Sequence, residues 1–123
     1  MKANELMIGD WVRHVNGTPM QVTKITTVHF ACAKNGGANC WEYNNKFEPI
    51  PLTPEILEKN GLENDTLGCC FDEDEQMVLE ISNTEEGIYW TINYNEYAIL
   101  KLKYVHQLQH ALRLCGINKE IVI

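Results

Sequence analysis

The segment Tyr104-Val-His-Gln-Leu-Gln-His-Ala-Leu-Arg-Leu-Cys115, closed by Gly116, constrains the fold more than any other stretch of this chain. Val105, Leu108, Ala111, Leu112 and Cys115 recur at helical spacing and make one apolar face. His106, Gln109, His110 and Arg113 fall together on the opposite side, an interaction face suited to a polar partner or a second protomer. Gly116 supplies the left-handed residue that ends a helix, and Ile117 can fold back onto the last turn. A helix this short needs a surface on which to bury its apolar face. The rest of the chain has to build that surface.

Residues 6–48 read as β structure. Trp11, Arg13 and Val15 alternate with Val12 and His14, and Asn16-Gly17 is a strong signal for a two-residue hairpin turn. Val22, Ile25 and Val28, with four threonines among residues 18–27, suit a second, twisted strand. Asn35-Gly36-Gly37 marks a further turn, and Cys40-Trp41-Glu42-Tyr43 begins another strand. Short strands, tight turns and the leading Ile8-Gly-Asp-Trp-Val12 together predict a small SH3-like partial barrel.

Pro49-Ile-Pro51 then serves as an extended connector. A short linking helix follows, with Thr53 as N-cap, Pro54 at the first helical position and Glu55 at the positive dipole end. Leu52 can staple onto Leu57, and Asn60-Gly61 ends the helix with Leu62 as the returning apolar contact. The second half reads as an antiparallel β-meander. Met77–Ile81 and Ile88–Tyr94 are strands, Ser82–Gly87 is the polar loop between them, and Tyr97–Leu102 runs into the C-terminal helix. Residues 120–123 can add an edge strand. The expectation is a single α+β domain over residues 1–123. It has a barrel-like β half (1–50), a linking helix (51–62), and a half made of the meander and the C-terminal helix (63–123).

Charge is unevenly spread. Residues 1–62 hold six basic and six acidic side chains, whereas residues 63–123 hold four basic and eleven acidic ones, which accounts for the whole net charge of −7. Phosphate binding needs a surplus of Lys and Arg, so the second half is a poor nucleic-acid surface. No stretch reaches the roughly 18 apolar residues of a membrane span, and the N-terminus lacks the apolar core of a signal peptide. A cytoplasmic location is expected. Five cysteines, an odd number with one vicinal pair, speak for reduced thiols and against a secreted disulfide framework.

Each candidate chemistry has a plainer competitor. His106 and His110 stand four apart, as two metal ligands would, but Gln107 replaces the intervening Glu of the metalloprotease motif and further ligands are missing. Asp72-Glu73-Asp74-Glu75 lacks the glycine of a calcium loop. It caps a hairpin, or serves as an acidic patch that mimics nucleic acid. Trp11 and Trp41, with Arg13 and Lys24, suit base stacking, while core and cross-strand packing is the plainer use of these aromatics. Cys69-Cys70 has no activating partner in the sequence pattern. No catalytic residues, cofactor or metal are assigned.

Three segments resemble a family of small uncharacterised proteins common in Bacteroidetes genomes and their prophages. They are Met1-Lys-Ala-Asn-Glu-Leu-Met-Ile-Gly-Asp-Trp-Val12, Ile50-Pro-Leu-Thr-Pro-Glu-Ile-Leu-Glu-Lys-Asn-Gly61 and Lys103-Tyr-Val-His-Gln-Leu-Gln-His-Ala-Leu112. The chain departs from the family near its end, where Arg113-Leu-Cys-Gly-Ile117 stands in place of a Thr-Gly-Glu-Glu-like ending. The resemblance implies a phage or mobile-element setting, and no activity comes with it. The functional expectation is a non-enzymatic binding or adaptor protein, with an unknown protein partner or self-association and no membrane. The alternatives are a nucleic-acid-binding small barrel and an acidic inhibitor that mimics nucleic acid.

Overall fold

The computed structural model describes residues 1–34, 37–62, 66–72, 75–84, 87–94, 96–114 and 116–123. The fold class is α+β, with eight strands and two α-helices among the described residues. The chain divides into two compact units, Met1–Pro51 with Tyr104–His106, and Leu52–Lys103 with Gln107–Ile123.

The first unit holds a four-stranded antiparallel sheet of β1 (Trp11–His14), β2 (Pro19–Ile25), β3 (Phe30–Ala33) and β4 (Phe47–Pro49), in the order β3-β2-β1-β4. The sheet is open: β3 and β4 stand at opposite edges, so the barrel does not close. Val12, Met20, Val22, Phe30, Cys32 and Phe47 form the core of this unit together with Ala3 and Leu6. Met20 and Val22 are two residues apart on β2, as are Phe30 and Cys32 on β3, so each pair faces one side of the sheet. Burying each of these larger side chains contributes about 1.5–3 kcal/mol. The Phe30 and Phe47 rings meet at 5.2 Å, and His14 stands edge-on to Phe47 at 5.4 Å.

Several expected boundaries move. Thr18 accepts the His14 N–H, so the first hairpin has three loop residues rather than two. Asn16 has another use there, as its Oδ1 accepts the Thr18 N–H at 2.9 Å. β2 ends at Ile25, and Val28 lies exposed in the next turn, which Thr26 and His29 close with three bonds, one between backbones and two through the Thr26 hydroxyl. Residues 41–43 are not a strand. Only Cys40 pairs, in an isolated bridge to Cys32, and the strand of this region is β4, after a 3-10 turn at Asn44–Lys46. The aromatic-rich run has strand propensity, but it finds no ladder partner beyond Cys32.

Asp10, just before β1, is built deeply into this unit. Asp10 is fully buried, and its Oδ2 accepts the Met7 N–H at 2.7 Å while its backbone pairs with Val22.

The second unit holds the meander β5 (Thr66–Asp72), β6 (Glu75–Thr84), β7 (Gly87–Tyr94) and β8 (Glu96–Leu102), paired in chain order. The expected polar loop Ser82–Gly87 is mostly strand, since Ser82, Asn83 and Thr84 pair with Tyr89, Ile88 and Gly87. Strand ends follow the available partner rather than side-chain polarity.

Helix α1 (Pro54–Lys59) has the predicted caps. Thr53 Oγ1 accepts the Ile56 N–H, Pro54 opens the helix, and both Leu52 and Leu57 are buried. At its end Gly61 takes φ +68°, Gly61 N–H donates to Glu58, and Leu62 N–H donates to Leu57. Helix α2 (Val105–Leu114) ends the same way. Gly116 takes φ +69°, its N–H donates to Arg113, and Ile117 N–H donates to Leu112. Gln107 Oε1 accepts the Lys103 N–H at 2.8 Å, a side-chain bond at the helix start.

Residues 120–123 add no strand. Instead side chains from the end of α1 hold the tail: Asn60 bonds both the N–H and the carbonyl of Val122, and Lys59 Nζ donates to the Ile123 carbonyl at 2.8 Å.

Candidate functional site

In the first unit the most exposed large aromatic side chains are Trp41, 51% exposed, and Tyr43, 79% exposed. They lie in the non-strand segment 41–43 of the first unit, and three anchors fix that segment. At its start, Cys40 exchanges both backbone hydrogen bonds with Cys32, at 3.1 and 2.6 Å. In its middle, Glu42 Oε2 meets His14 Nε2 at 2.6 Å. At its end, Asn44 Nδ2 donates to the Val28 carbonyl at 2.7 Å.

The anchor on Glu42 has a defined proton arrangement. His14 Nδ1 accepts the Asn16 N–H at 3.1 Å, so the ring proton stands on Nε2 and is donated to Glu42. This bond, from a residue held edge-on against Phe47, pulls the Glu42 carboxyl below its ordinary range. Glu42 also bonds the Cys40 thiol. Burial first, then the Glu42 charge, raises the Cys40 pKa. Burial, reinforced by Cys40, pushes the Cys32 thiol up to about 12. Both cysteines are free thiols held in the protonated form. A Cys, a Glu and a His are thus brought together, and the carboxylate lowers the thiolate fraction of Cys40 instead of activating it as a catalytic nucleophile would need.

The structure treats the sequence candidates unevenly. Of the expected polar face, only Arg113 is exposed; His110 is half-buried, and His106 and Gln109 are buried. His106 stacks on Tyr104 with rings 5.8 Å apart and nearly parallel, which is why it leaves the solvated face. The apolar face is as predicted, with Val105, Leu108, Ala111 and Leu112 all buried, while Cys115 lies outside the described residues. Asp72 and Glu75 are register partners at the end of the β5–β6 pairing, whereas Glu73 and Asp74 lie outside the described residues. Trp11 is half-buried on β1, opposite Gln21, and Trp41 stands in the segment above.

Among the described residues no group of three or more His, Cys, Asp or Glu is placed to hold a metal ion. A shallow cleft of about 240 Å³, lined by Met1, Lys2, Ala3, Asn4, Thr27, Val28 and Asn44, falls below the ~300–1,000 Å³ of ordinary ligand pockets. No helix of the described residues is long and apolar enough to cross a membrane.

Comparison with protein families, curated proteins and solved structures finds no match. The site therefore rests on its own geometry. The sequence marks Trp41 and Tyr43 as aromatics that could stack, but not their link through Glu42 to His14. The available signal was the alternation Trp41-Glu42-Tyr43, which reads as a strand.

Proposed function

We propose that this chain is a non-enzymatic binding or adaptor protein of phage or mobile-element origin, and that Trp41 and Tyr43 meet a protein partner. The observation that carries this reading is the exposure of both rings on a segment fixed at Cys40, Glu42 and Asn44. Tyr and Trp are the side chains most enriched at interface hot spots, because each contributes a large contact area with few rotatable bonds. Anchoring the backbone in advance lowers the ordering cost of association. The resemblance to the prophage-associated family supplies the setting.

The same aromatic pair supports a second reading, stacking of unpaired bases. Residues 1–51 carry five basic and four acidic side chains, so this part of the chain is not acidic. Glu42 stands between the two aromatics in the sequence, and its negative charge would repel a phosphate backbone, which favours the protein partner.

The test uses the purified chain and its Trp41→Ala/Tyr43→Ala double variant, immobilised side by side in a host lysate. A partner held by the wild type and lost by a folded double variant supports the reading. Equal capture by both, or steady turnover of a substrate through purification controls, overturns it. Binding of a single-stranded oligonucleotide at about 50 mM salt, lost in the same variant, replaces it with the second reading.

A further inference from the structure

Cys32 and Cys40 stand directly opposite each other in an antiparallel bridge, each donating its N–H to the other's carbonyl. Directly opposed residues project to the same face with Cβ atoms about 4.5–5.5 Å apart, the wider value belonging to hydrogen-bonded pairs such as this one. A relaxed disulfide needs about 3.5–4.5 Å. The two thiols are therefore neighbours that a small inward movement can join. One is fully buried on β3 and the other half-buried and within reach of solvent.

We propose that Cys32 and Cys40 are a redox pair that a low-molecular-weight disulfide closes reversibly into a cross-strand bond. Cys40, the accessible partner, attacks one sulfur of the oxidant. A bond forms from Cys40 Sγ to that sulfur, the oxidant's own S–S bond breaks, and one small thiol leaves with the Cys40 proton taken up through solvent. Cys32 then attacks Cys40 Sγ, the protein disulfide forms, and the second small thiol leaves with the Cys32 proton. The two cysteines lose two protons and two electrons, and the oxidant takes them up to become two thiols. Closure draws the strands together beyond their ordinary spacing, so the bond is readily reduced by excess thiol. The elevated Cys32 thiol makes the second step the slow one and makes it faster as pH rises. Cys40 adjoins Trp41, so closure would also reset the segment that carries the proposed binding residues. That consequence rests on the functional reading above, whereas the redox pair does not.

The experiment incubates the intact folded protein with glutathione disulfide and then with reduced glutathione, and maps tryptic peptides without prior reduction. Cleavage after Lys34 places the two cysteines in separate peptides, residues 25–34 and 35–46. The expected result is one linked pair of these peptides, preceded by glutathione on Cys40 and lost on return to reduced glutathione. Cys32→Ser stops at the Cys40–glutathione adduct, and Cys40→Ser takes up no glutathione at Cys32. Cys32→Ala serves if the serine variant fails to fold. Three results overturn the proposal: glutathione persisting on Cys40 in the wild type as it does in Cys32→Ser, Cys40 linked to Cys69, Cys70 or Cys115 instead, or both thiols remaining open to alkylation throughout. Peptide mapping reads none of the partner binding, so failure here leaves the functional reading standing, and the reverse holds too.

Discussion

The Asn60 side chain closes a two-point clamp on Val122, its Nδ2 donating to the Val122 carbonyl and its Oδ1 accepting the Val122 N–H, both at 2.8 Å. The amide thus pairs with the tail backbone much as a strand neighbour would. The same Nδ2 donates to the Ile56 carbonyl, so one residue serves the end of α1 and the C-terminal tail together. Asn60 is buried, and Ile121 beside the clamp is buried as well. Asn60→Ala is expected to cost about 1–3 kcal/mol, because it strands backbone groups away from water. Asn60→Asp is expected to do comparable harm, since its oxygens still accept from Val122 N–H but offer nothing to the two carbonyls. Hydrogen exchange at the Val122 amide, followed beside the unfolding midpoint, checks both. An unchanged Val122 exchange rate in Asn60→Ala would sink the clamp.

The two helix ends test backbone conformation apart from packing. A Cβ at Gly61 or Gly116 meets nothing within 4 Å, so neither position is crowded. Any cost of Gly61→Ala or Gly116→Ala is the cost of holding an L-residue at φ near +70°, about 1–2 kcal/mol at each site. Thr53→Ala, which removes the side-chain acceptor for Ile56 N–H and leaves it only the Thr53 carbonyl, is expected to cost about 1 kcal/mol. Urea midpoints of the three variants should fall by similar amounts. If Gly116→Ala is neutral while Gly61→Ala is not, the end of α2 is not held by its left-handed residue.

These helix ends were legible in the sequence because every group involved lies within about six residues. Thr53, Pro54, Gly61 and Gly116 make their bonds locally, whatever the rest of the chain does. Strand ends were less legible, since Ser82-Asn83-Thr84 reads as loop until β7 offers each residue a partner. Trp41–Tyr43 shows the converse, strand-like in composition and left unpaired after Cys40. The Asn60 clamp spans 62 positions and the His14–Glu42 pair 28, and neither leaves a periodic trace. His106 and Gln109 looked solvated because helical spacing gives a face but not what covers it. Of the candidate site, then, composition yielded Trp41 and Tyr43, and tertiary structure yielded the anchors that fix them.

Glu42 ties the aromatic segment to β1, and its contribution has a pH window. His14 donates to it, which lowers its carboxyl from the ordinary 4.5. A carboxyl lowered in the folded state stabilises the fold above the ordinary value and loses that effect as pH falls through the folded value. Glu42→Gln lacks the charge at every pH. The stability gap between wild type and Glu42→Gln is therefore expected to be widest near neutrality and to close below about pH 4. Urea unfolding from about pH 7 down to about pH 3 reads that gap. A constant gap over the whole range would mean that the ionised carboxylate contributes nothing. The exposed position of the pair keeps the effect small, and added salt should shrink it further.

Cys32 sets a matching limit on the alkaline side. Its thiol moves from 9.0 to about 12, chiefly through burial. A group raised in the folded state gives stability that is complete below the unfolded value and is lost as pH climbs through the folded one. Between about pH 9 and pH 12 the unfolded chain releases this proton while the folded chain holds it, so unfolding becomes easier as pH rises. Cys32→Ala removes the titrating group at the cost of a small cavity, and it should lie below wild type at neutral pH and lose less as the solution turns alkaline. The two stability curves are expected to converge above pH 9. Parallel curves would show that Cys32 ionises in the folded protein as easily as in the unfolded one, and that its burial does not protect the proton.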